Sequence, residues 1–155
     1  MAPNDYNVHT FTADVTVVVG TNTLSIQGAG TSDGNGLGID NVQLVRVGSS
    51  ENIVINGGFE RPPQNRGWNI YAGIEGWSTD LMEIGYGKSY GFYWTSQICE
   101  LDGNRNDIIT QGFTFDQYYN SMTFTLSVQY AARNGIALHN HQGNVYWNNV
   151  LIATL

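Results

Sequence analysis

An all-β sandwich is the fold this sequence predicts, on three observations. Apolar and polar residues alternate with period two in several short runs. Gly and Asn clusters separate those runs, as the turns of a β protein require. No segment repeats its apolar residues at helical spacing. Composition agrees: 19 Gly, 3 Pro and 12% charged residues in 155, a length that suits one domain with a full core.

The elements can be taken in order. HTFTADVTVVV (9–19) puts Phe11, Ala13, Val15, Val17 and Val19 on one face, and residues 20–22 read as a turn. TLSIQG (23–28) is a short strand, and GAGTSDGNGLG (28–38) is a loop. IDNVQLVRV (39–47) and NIVINGGFE (52–60) read as strands joined by the turn GSSE (48–51). RPPQNRG (61–67) is a loop, because Pro62 and Pro63 block a ladder. The stretch 68–91 is rich in aromatics and Gly, with strand candidates near Trp77 and at 81–84. Further strands are expected within 93–103 and at 107–115. MTFTLSVQYAA (122–132) alternates most clearly, with Phe124, Leu126, Val128 and Tyr130 pointing one way. The last element is a hairpin, 144–155, turning at Asn148-Asn149 because Asn tolerates the positive φ of a two-residue turn.

Thirteen acidic residues against six basic ones give a net charge of −7. That balance disfavours nucleic acid and anionic membranes and suits a divalent cation. No stretch is long and apolar enough to span a bilayer. Cys99 is the only cysteine, so an intrachain disulfide is impossible. A hairpin around GSSE would set Asp40 opposite Glu60, two carboxylates that repel unless neutralised, and Ca²⁺ is a natural neutraliser. Asp102, Asn104 and Asn106 have the first spacings of a calcium loop but lack its later Gly and Glu, so a polar turn is the better reading and a calcium ligand at Asp102 the alternative. GYGKSYGFYW (85–94) crowds aromatic residues around Lys88. Tyr86, Tyr90 and Trp94, extended by Trp77, could stack on sugar rings while Lys88 binds hydroxyls; alternatively the rings fill the core. No nucleophile–base pair stands out, so no enzymatic activity is expected.

Several motifs together carry a resemblance. NIVINGGFE, Gly76-Trp77, ELDG (100–103), a strand ending YAAR (130–133) and VYWNN (145–149) resemble one bacterial module. It is the jelly-roll domain that opens with Asn-Gly-Ser-Phe-Glu and recurs in secreted and RTX-type adhesins. Galactose-binding-like and carbohydrate-binding-module sandwiches are related to it. The segment that closes that module resembles residues 4–47, which here come first, so the order looks circularly permuted.

The resemblance implies one jelly-roll sandwich over 1–155, at the cell surface or outside the cell, serving adhesion without catalysis. Glu60 and Asp40 would ligate a structural Ca²⁺, with nearby carbonyls and Asn56. Leu155 would lie near residues 4–9, the front segment and the tail being neighbours. Residues 1–47 would either close on 53–155 of the same chain or complete a neighbour's sandwich, giving head-to-tail rings or filaments. Phe11, Val15 and Val17, with Val150 and Ile152, would form the junction in either case. A lectin-like module using 85–94 is the alternative, so the expected partners are a second copy or a glycan.

Overall fold

The structure is a computed structural model that describes residues 3–64 and 67–155, without the Tyr90 side chain. Asn65 and Arg66, in the expected 61–67 loop, lie outside the described residues. Ten strands form it: β1 (His9–Thr16), β2 (Gly20–Gly28), β3 (Gly38–Arg46), β4 (Trp68–Tyr71), β5 (Met82–Tyr86), β6 (Gln97–Glu100), β7 (Ile108–Phe115), β8 (Thr123–Ala131), β9 (Gly143–Trp147) and β10 (Val150–Thr154). They make a six-stranded sheet in the order β1-β8-β3-β6-β5-β4 and a four-stranded sheet in the order β10-β9-β2-β7. Every strand pair is antiparallel.

Period-two alternation is what buries each sheet's inner face. In β8, Phe124, Leu126, Val128 and Tyr130 are buried between the sheets, as the sequence predicts, with Thr123, Thr125, Ser127 and Gln129 facing away. Leu24, Ile26 and Ile109 of the smaller sheet enter the same core. A second, smaller apolar cluster of Phe92, Trp94, Ile98 and Ala131 lies apart from it. Ile98 and Cys99 are neighbours on β6, and Cys99 belongs to the main core, so Ile98 marks the sheet's outer face. Gly38 is required beneath that cluster, because a Cβ there would come within 2.7 Å of the Phe92 ring.

The final hairpin turns where expected. Asn148 and Asn149 take φ of 50° and 66°, joining β9 to β10. Elsewhere the boundaries move. The first turn falls at residues 17–19 rather than 20–22, because the buried Asn22 amide ties that corner. Val18 N–H donates to Asn22 Oδ1 (3.0 Å), and Asn22 Nδ2 donates to the Val18 carbonyl (2.7 Å). The expected strand at 52–60 is not one. Asn52 makes an isolated bridge to Val45, and the chain then curls through Asn56 and Phe59, at φ 53° and 54°. The curl plants Phe59, fully buried, against Trp77 at 5.4 Å between ring centroids. Trp77 itself makes only an isolated bridge, to Ile74.

Residues 9–46 supply strands to both sheets. β1 pairs with β8, β2 sits between β9 and β7, and β3 sits between β8 and β6. The tail is not hydrogen-bonded to β1: β10 pairs with β9 alone, and β1 and β10 are edges of different sheets. The two sheets are linked at that side by Trp147 Nε1, which donates to the Thr16 carbonyl at 3.1 Å. Of the expected junction residues, Val15 and Val17 are buried, Phe11 and Ile152 are half-buried against the core, and Val150 is 63% exposed. Among the described residues no helix is long and apolar enough to cross a membrane.

Candidate functional site

Asp40 and Glu60 do come together, although not across a hairpin. A register shift after Asp40, with Asn41 at φ 47°, bulges β3 beside the curled 52–60 segment. Asp40 Oδ1 accepts from Asn41 N–H (2.6 Å) and Oδ2 from the Ser96 hydroxyl (2.8 Å). Glu60 Oε1 accepts from Gln97 N–H at 3.0 Å. Asp40 is 5% exposed. Burial pushes its carboxyl up to about 6 against the pull of those two hydrogen bonds, and the Glu60 charge adds to the rise. Neither carboxylate makes an ion pair among the described residues.

Asn56 and Asp102 are not part of that pair. The Asn56 amide closes its own loop: Nδ2 donates to the Arg61 carbonyl (2.7 Å), and Oδ1 accepts from Arg61 N–H (3.1 Å). Asp102, fully buried, organises the loop after β2. It accepts from Asp33 N–H (2.8 Å), Gly34 N–H (3.2 Å) and the Ser32 hydroxyl (3.3 Å). The 102–107 stretch is therefore a polar corner, and Asn106 Nδ2 extends it to the Gly30 carbonyl at 2.7 Å. A calcium ion at Asp40 and Glu60 would have two carboxylates and the Ser96 hydroxyl as side-chain ligands. Among the described residues no group of three or more His, Cys, Asp or Glu is placed to hold a metal, so carbonyls and water would complete its shell.

Beside Asp102 stands a second buried acid. Glu100 is 1% exposed and opposite Glu83 across β6 and β5. Oε1 accepts from Gly36 N–H (2.7 Å) and lies 3.8 Å from Arg133 Nη1, whereas the buried Oε2 has no hydrogen-bond partner among the described residues. Burial, then the Glu83 charge, pushes the Glu100 carboxyl up to about 8; Arg133 and the Gly36 bond oppose this, and the Asp102 charge adds to it. Arg133 also donates to Asn35 Oδ1 (3.1 Å), clamping the same loop. Of the two histidines in the stretch 139–141, His139 is exposed, whereas His141 is fully buried with Nδ1 3.1 Å from the Ala137 carbonyl.

The aromatic platform is corrected by burial. Trp77 is 2% exposed and donates Nε1–H to the Asn56 carbonyl at 3.1 Å; Trp94 is 8% exposed within the outer cluster. Neither offers an open ring face to a sugar. Tyr86 is half-buried, Lys88 is exposed, and the Tyr90 side chain lies outside the described residues. Tyr93, which the sequence did not single out, is 58% exposed in the same loop.

Comparison with protein-family models, with curated proteins and with solved structures finds no match to this chain.

Proposed function

We propose that this is an extracellular, non-enzymatic sandwich module for adhesion or structural support, stabilised by a divalent cation between Asp40 and Glu60. The observation that carries the reading is the uncompensated pair itself. A carboxylate 5% exposed, beside a second one and with no cationic side chain bonded to either among the described residues, is costly unless a proton or a metal ion joins them. A cation there would tie the β3 bulge to the 52–60 segment and so close the sandwich. The reading also follows from the resemblance of the Asn-Gly-Gly-Phe-Glu stretch to the opening phrase of adhesin modules.

Thermal unfolding in calcium and in EDTA tests this. Millimolar Ca²⁺ raises the midpoint of the wild type by several degrees at pH 7.5, and Asp40→Asn removes most of the gain. Identical midpoints with and without calcium, in a chain that folds normally, would refute it.

A further inference from the structure

We propose that the free edge of β7 is a docking site for an extended peptide, added as a fifth strand to the smaller sheet. Thr110 exchanges backbone hydrogen bonds with Ser78, both at 2.9 Å, so its amide faces away from β2. By the alternation of an antiparallel pair, Gly112 and Thr114 face the same way. The other side of the ladder agrees. Thr23, the register partner of Gly112, turns its carbonyl to the β9 side, where it accepts from Asn148 N–H at 2.9 Å. Gly112 and Thr114 are exposed, and no backbone hydrogen bond from outside the sheet reaches either among the described residues. Two rungs of ladder are thus open on an edge with no charged residue and no proline, the usual protections of such an edge.

Those rungs border a cleft of ≈ 340 Å³ lined by Phe113, Thr114 and Phe115 on one side and Glu51 and Ile53 on the other. The far wall is held by the Gln111 side chain, which accepts from Ile55 N–H (2.7 Å) and donates to the Ile55 carbonyl (3.0 Å). An added strand sends alternate side chains into this gap between the sheets. The cleft also holds Arg46 and Glu51, which make no ion pair with each other or with any described residue. Their opposite signs select a peptide with an apolar side chain for the cleft, flanked by one acidic and one basic residue. A sugar fits less well: Phe113, Phe115 and Phe124 are 7%, 7% and 2% exposed, too little ring surface for stacking.

Panning a library of random heptapeptides against the full chain tests the site. Enriched sequences should place an apolar residue between residues of opposite charge. Gly112→Pro and Thr114→Pro delete only outward-facing donors, which edge strands tolerate, and should each weaken binding at least tenfold while leaving thermal unfolding nearly unchanged. Arg46→Gln should weaken it several-fold, and the Gly112 and Thr114 amides should shift in NMR spectra on titration with the enriched peptide. No enrichment, enrichment that survives all three substitutions with those amides unmoved, or a saccharide found to occupy the cleft instead would overturn the proposal.

Discussion

Glu100 is a carboxyl whose chemistry departs far from its ordinary behaviour. Its folded-state pKa, about 8, lies above its ordinary 4.5, so folding favours the neutral acid. The folded chain then holds a proton that the unfolded chain has released, and stability falls as pH rises from about 4.5 to about 8. Asp40 acts in the same direction between 3.8 and about 6, unless calcium occupies its carboxylate. Glu100→Gln keeps an oxygen for Gly36 N–H and cannot ionise. Relative to the wild type, it should gain on the order of 2–4 kcal/mol in urea unfolding on going from pH 5 to pH 9. Parallel pH profiles for the two proteins would contradict the buried-acid account.

At the scale of elements, the β9–β10 hairpin shows how a turn can also staple a sheet. Asn148 Oδ1 accepts from Thr23 N–H (2.8 Å) and Nδ2 donates to Asn22 Oδ1 (3.0 Å), so the turn residue caps the start of β2. Asn148→Ala loses both bonds and places Ala at φ 50°; a loss of about 2 kcal/mol is expected in denaturant titration. Asn149→Gly, at φ 66°, should be neutral or stabilising by up to about 1 kcal/mol. The hairpin and β8 were legible in the sequence because local pattern and burial agree there. The 52–60 segment was not: its apolar run imitates a strand, while the curl at Asn56 and Phe59 depends on a Phe59 pocket formed by distant residues. The Asp40–Glu60 approach was legible despite that error, since bulge and curl leave the two ends of the pairing side by side. The Glu83–Glu100 juxtaposition and the β7 cleft were not legible, because only the sheet order sets Glu83 opposite Glu100 and residues 49–53 beside β7.

For the whole molecule, closure of the sandwich by the front segment is the central feature. The front segment supplies a strand to the middle of each sheet, so neither sheet survives without it. β1 alone takes eight register partners on β8, from His9↔Tyr130 to Thr16↔Thr123. Whether those partners belong to one molecule is the point on which core, carboxylate pair and cleft all depend. An isotope-filtered NOE experiment on an equimolar mixture of labelled and unlabelled chains, refolded together from denaturant, decides it. A closed sandwich gives the Ala13–Leu126 and Phe11–Val128 cross-strand contacts only within a molecule. The same contacts appearing between labelled and unlabelled molecules would show that the front segment completes a neighbour instead.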